Sequence, residues 1–114
     1  MGVAMAVVAA ISLAFTPAAP ASTTVKTSCG PDTVRFADGN FTDICFKGKG
    51  TIAYNIDRVT RFETGPNVVR IAWMDRTGAY YSQVFEPYYG RASKLQYDGS
   101  FTPLYERVYQ IWIL

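Results

Sequence analysis

Turn-forming residues interrupt this chain so often that no long element fits between them. Asp38-Gly39, Gly48 with Gly50, Thr64-Gly65-Pro66-Asn67, Asp75 to Gly78, Pro87 with Gly90, and Asp98-Gly99-Ser100 punctuate it. The runs between them are short and rich in β-branched and aromatic residues, and after residue 21 none repeats with a 3.6-residue period. They read as strands: Thr33–Phe36, Phe41–Lys47, Thr51–Asn55 and Arg58–Phe62 (as two short strands or one irregular segment), Val68–Met74, Ala79–Phe85 and Glu106–Leu114. Val68–Met74 alternates most cleanly, with Val69, Ile71 and Trp73 on one face. In the last strand Val108, Gln110 and Trp112 alternate against Tyr109, Ile111 and Ile113. Asp75–Gly78 reads as a four-residue hairpin loop, and Glu86–Ser93 as irregular. Strands at intervals of roughly eight to twelve residues describe an all-β sandwich or barrel.

The first 21 residues stand apart. They contain no Asp, Glu, Lys or Arg, run apolar from Val3 to Phe15, and end in Ala19-Pro20-Ala21, the small-x-small form of a signal-peptidase site. The apolar stretch is shorter than the roughly 20 residues a spanning helix needs, so no membrane span is expected. Residues 1–21 are therefore expected to be a secretory signal peptide, although the usual basic n-region is missing, and 22–114 to form one extracellular β-sandwich domain. Ser22–Ser28 is a polar lead-in. In an exported protein the only intramolecular cysteine pairing is Cys29–Cys45, which gives a small domain a staple it needs.

The composition excludes much chemistry. Histidine is absent, which removes Ser-His-Asp and Cys-His catalysis and the commonest zinc ligand. Oxidised cysteines leave no thiolate nucleophile or metal ligand. No glycine-rich phosphate loop precedes a helix. No enzyme activity, cofactor or metal is expected, and the remaining catalytic route is a carboxylate pair such as Asp38 with Asp43 or Asp57 with Glu63. Eleven basic and nine acidic residues give a net charge of +2, scattered singly, which does not make a nucleic-acid footprint. Asn40-Phe41-Thr42 fits the glycosylation sequon.

Aromatics are the remaining contact chemistry. Tyr80-Tyr81 sits in a strand, so its two rings face opposite sides. Tyr88-Tyr89 sits in the Pro87/Gly90 loop, and with Arg91 it forms the candidate binding patch: flat, amphipathic, and suited to a sugar or a protein partner.

The stretch Phe36-Ala37-Asp38-Gly39-Asn40-Phe41-Thr42-Asp43 resembles the Greek-key signature of βγ-crystallin domains: aromatic, four residues, aromatic, one residue, glycine. Asp43 takes the glycine's place, where a positive-φ kink is expected. The wider order is similar to that of small secreted actinobacterial crystallin-like proteins of the killer-toxin-like type. It runs from Cys29 through Cys45-Phe46, Gly48 and Gly50, Ile52–Val59 and Phe62–Val69 to Val108–Ile113. No second signature is visible in the C-terminal half. The resemblance implies a βγ-crystallin-like Greek-key sandwich of about eight short strands. Many members bind calcium through adjacent Asn/Asp residues, and this chain has no such pair. It further implies a secreted, monomeric, non-enzymatic protein acting on a competitor's cell-wall glycan or a cell-surface protein. A protease inhibitor presenting Thr64–Asn67 or Glu86–Arg91, and a structural extracellular or spore-coat protein, are the alternatives.

Overall fold

The computed structural model describes residues 23–114; the expected signal peptide, 1–21, lies outside them. Nine strands form two antiparallel sheets, and none of the described residues is helical. They are β1 (Val25–Thr27), β2 (Val34–Ala37), β3 (Asp43–Lys47), β4 (Gly50–Val59), β5 (Arg61–Glu63), β6 (Val69–Met74), β7 (Tyr80–Phe85), β8 (Gly90–Ala92) and β9 (Tyr105–Ile113). One sheet has the order β1-β3-β2-β5-β8 and the other β4-β9-β6-β7.

The orders reveal two interlocked Greek keys. In the first, β3-β2-β5 lie side by side while β4 crosses to the opposite sheet. In the second, β7-β6-β9 lie side by side while β8 crosses back. Each sheet therefore holds three strands of one motif and one of the other, and β1 is an addition at the edge.

The inner faces meet over an aromatic and aliphatic core. Phe36, Phe46 and Phe62 from the first sheet are fully buried against Ile56, Val69, Ile71, Val108 and Ile111 from the second. Phe36 stacks on Phe62 at 4.9 Å, and Phe46 meets Phe36 edge-on at 6.0 Å. Each such side chain contributes about 1.5–3 kcal/mol by leaving water. Cys29 and Cys45 are bonded, with their Cα atoms 5.1 Å apart. The bridge ties the segment before β2 to β3.

Five local expectations change. The polar lead-in contains a strand, β1, because Val25–Thr27 completes the ladder on β3. The segment from Gly50 is one ten-residue strand that leaves its sheet at Thr60, and β5 begins the other sheet at once. Asp43 is extended in β3, and the positive φ falls two residues earlier, at Phe41 (60°). Part of the irregular Glu86–Ser93 stretch is the strand β8, made by pairing with β5. Lastly, β9 does not alternate throughout. Ala72 and Trp73 are consecutive on β6 but pair with Gln110 and Val108, leaving Tyr109 as the extra residue of a bulge. The bulge turns both Val108 and Ile111 into the core and puts the Tyr109 ring against Tyr80 on the outer face, 5.6 Å away.

Candidate functional site

Two buried threonines bracket β5, and each anchors a turn. Thr60 donates its hydroxyl to the Asp38 carbonyl at 2.9 Å. Thr64, fully buried, does more. Its hydroxyl donates to the Glu86 carbonyl at 2.8 Å and accepts the Tyr89 N–H at 3.0 Å, and its own N–H donates to the Tyr89 carbonyl at 3.0 Å. One side chain thereby fastens the Glu86-Pro87-Tyr88-Tyr89 turn, which joins β7 to β8, to the end of β5.

Gly65 adds a second clamp. Its carbonyl accepts the Tyr88 N–H at 2.6 Å. It sits at φ 58°, and a Cβ there would lie 2.6 Å from the Thr33 carbonyl oxygen, so no other residue fits. Asn67 closes the turn by donating its amide to the Thr64 and Asp32 carbonyls.

Held this way, Tyr88 has φ 60° and is 80% exposed. A bulky residue at positive φ is an outlier that costs of order 1–3 kcal/mol and persists only where its surroundings impose it. Here the imposing groups are Thr64 and Gly65. Tyr88 forms a ridge between two surface clefts. One, of about 560 Å³, is lined by Pro31, Arg35, Glu63, Gly65 and Tyr89. The other, of about 460 Å³, is lined by Gln83, Val84, Glu86 and Pro87.

The three residues of the sequence-based patch separate. Tyr89 is half-buried, its ring 4.7 Å from Phe85 and 5.9 Å from Phe62, so it braces the ridge from the core side. Arg91 pairs with Phe62 in the β5–β8 ladder and lines neither cleft. Its charge is felt instead at Tyr105. Burial pushes that phenol well above its usual range, the neighbouring Tyr89 adds to the rise, and Arg91 partly opposes it. Arg35 and Glu63 do reach the cleft, 3.9 Å apart, as directly opposed residues of β2 and β5. Nothing in the sequence pairs them; only the ladder register does.

Asp38 and Asp57 are each engaged by other groups. The Asp38 carboxylate accepts the Asn40 and Thr42 N–H groups of its own turn, Asp57 pairs with Arg107 at 2.7 Å, and Asp43 is exposed at the start of β3. Asp38 and Asp57 line one cleft of about 410 Å³ with Tyr54, Asn55 and Arg58, a combination the sequence spacing does not indicate. Among the described residues, no three of His, Cys, Asp and Glu cluster so as to hold a metal ion.

No protein-family model matches the chain. No curated protein matches it in sequence. Among solved structures, it is similar to the antifungal protein from Streptomyces tendae TU901, determined by NMR, with a TM-score of 0.64 at 16% identity. The match covers 81% of this chain and 100% of that one. At this identity the likeness speaks for architecture, and it agrees with the strand order: the chain is an all-β, βγ-crystallin-like Greek-key sandwich.

Proposed function

We infer that this is an exported antifungal protein that acts by binding, without turnover, to cell-wall glycan, and that Tyr88 is its central contact. The observation that carries the reading is the conformation of Tyr88. A strained, largely exposed aromatic, fixed by a fully buried threonine and by a glycine that admits no substitute, adds nothing to the core. Strain of this kind gathers at binding sites. A tyrosine face stacks on the apolar face of a pyranose ring, while its hydroxyl and the flanking Arg35, Glu63 and Gln83 offer hydrogen bonds to sugar hydroxyls. The solved antifungal protein of the same architecture supports the biological direction, and a disulfide is consistent with an extracellular setting.

Growth of yeast and filamentous fungi with the oxidised protein tests the reading, alongside sedimentation of the protein with insoluble chitin and β-glucan. Dose-dependent inhibition is expected, lost after reduction. Tyr88→Ala is expected to weaken glycan binding by about 30-fold, the effect of losing a contact worth about 2 kcal/mol. Tyr88→Gly separates contact from folding, because glycine relieves the positive φ; it should melt no lower than the parent and still fail to bind. Unchanged binding in both variants would sink the reading. Binding to a fungal surface protein but to neither polysaccharide would reassign the ligand class.

A further inference from the structure

Four strands end the two sheets, and three are protected as edges usually are. β1 and β8 are three residues long and carry Lys26 and Arg91. β4 is long, but its register breaks between Ala53 and Ile56, and it carries Asp57 and Arg58. β7 has none of these devices. It runs six residues, Tyr-Tyr-Ser-Gln-Val-Phe, with no charge, proline or bulge, in unbroken register with β6, and every residue but Phe85 is exposed. Among the described residues no strand pairs with its other side. That side presents unpaired N–H and C=O groups beside apolar side chains, Tyr80 at 68% and Val84 at 42% exposure.

We propose that β7 is a homodimer interface: two copies pair β7 to β7 antiparallel about a two-fold axis through Ser82, joining the four-stranded sheets into one of eight strands. The alternation of faces selects this register. Tyr80, Ser82 and Val84 point outward, since Tyr80 meets Tyr109 on the outer face and Tyr81 stacks inward on Trp73. Opposed residues of an antiparallel pair share a face, so centring on Ser82 sets Tyr80 of each copy against Val84 of the other. An aromatic–β-branched pair thus covers the exposed apolar residues on the outer face of the strand, twice. Charge agrees with this arrangement. Glu86, just past the strand, falls across from the Asp75–Gly78 turn of the other copy. That turn offers Arg76, while its own Asp75 is occupied by Thr77 and Ala79. The monomer expected from the sequence gives way to a pair carrying two Tyr88 ridges, which strengthens attachment to a repetitive surface without any new contact.

Protein expressed from the full 114-residue sequence and recovered oxidised is examined by sedimentation across a concentration series. A mass rising to twice that of the folded chain is expected, with amide protection of Tyr80–Phe85 rising in parallel. Ser82→Lys sets two ammonium groups face to face and should raise the dimer dissociation constant about ten-fold or more. Ser82→Glu should do the same, and mixing the two variants should restore the dimer. Ser82 is exposed, so both variants should keep the parent's near-ultraviolet circular dichroism. A parent that stays monomeric throughout, a dimer indifferent to Ser82→Lys, or a mixture that does not re-associate overturns the proposal. None of these outcomes depends on whether the protein binds glycan.

Discussion

The hairpins that open the two Greek keys are built alike from unlike residues. In each, an aspartate leads the turn: Asp38 between β2 and β3, Asp75 between β6 and β7. Its carboxylate accepts N–H groups from two and four residues on, at 2.8 and 3.0 Å in the first turn and 2.8 and 3.1 Å in the second. Its N–H donates to the carbonyl four residues on, and its carbonyl accepts from three on, in both. The residue three on has positive φ in both, but it is Phe41 in one and Gly78 in the other. The Greek-key turn is therefore a hydrogen-bond arrangement around an Asx-type carboxylate, and the aromatic letter is optional. The halves differ in support. The first has the disulfide, and the Phe41 ring lies against Phe101 at 5.3 Å. The second has neither and ends in the open edge of β7.

The staple offers the largest test of that contrast. Reduction, or Cys29→Ser with Cys45→Ser, reopens a loop of about 17 residues and is expected to cost about 3 kcal/mol in denaturant unfolding. The loss should be uneven. Amide exchange should rise first in β1 and β3, while β6 and β9 stay protected by their long mutual ladder. Equal acceleration in both halves would mean that the domain unfolds only as one unit.

Next in size is the tether that crosses between the motifs. Thr64→Val keeps the shape but removes two hydrogen bonds of the hydroxyl, to the Glu86 carbonyl and from the Tyr89 N–H, leaving those two groups only their longer 3.4 Å bond to each other; about 2 kcal/mol is expected by thermal melting. Thr60→Val removes the corresponding tether of the first turn and should cost less, because Thr60 anchors by donation alone. Only Thr64→Val should also weaken glycan binding, because only it frees Tyr88.

The positive-φ position gives a smaller and cleaner comparison. A Cβ on Gly78 would meet nothing within 4 Å, so Gly78→Ala isolates the backbone cost of about 1 kcal/mol. Phe41→Gly relieves the same strain in the first hairpin but loses the ring contact with Phe101, and the two effects should nearly cancel. A Phe41→Gly loss as large as that of Gly78→Ala would show that the ring, rather than the hydrogen-bond arrangement, holds the first turn.

These contrasts also mark what the sequence could reveal. Turns announced by Asp-Gly, Gly-Pro and Asp-x-x-Gly were legible, because Asp38, Asp75 and Asp98 accept backbone N–H groups of their own turns and Gly65, Gly78 and Gly99 take the positive φ. So was the strong β6 alternation. The three-residue β8 was not, since Gly90–Ala92 has no pattern of its own and becomes a strand by pairing with β5. The bulge at Tyr109 reverses faces without a sequence mark, so half of the β9 assignment inverted. The second Greek-key turn is hidden in the sequence because Gly78 stands where the signature has its second aromatic. At the site, Tyr88 was legible as an exposed loop aromatic. Its left-handed conformation, and the approach of Arg35 and Glu63, depend on contacts from β2 and β5, remote in the chain.

The finest difference between the two turns is one hydroxyl. Thr77 donates its side chain to Asp75 at 2.6 Å, while the equivalent residue of the first turn, Asn40, bonds Asp38 through its N–H. The Thr77 hydroxyl is the main reason the Asp75 carboxyl lies below its ordinary value; partial burial opposes the shift, and the Thr77 N–H, Tyr81 and the Ala79 N–H reinforce it. A carboxyl depressed in the folded state stabilises above its unfolded pKa, and that stability is lost as pH falls through the folded pKa. The second hairpin should therefore loosen in acid, below about pH 4. Asp75 lies in a surface turn, so the readout is the carboxyl itself, followed by NMR, rather than global melting. Thr77→Asn should move its midpoint up while leaving the backbone bonds in place. An Asp75 midpoint unmoved by Thr77→Asn would mean that the backbone N–H groups alone hold the charge, and that the two turns are equivalent in electrostatics as well as in geometry.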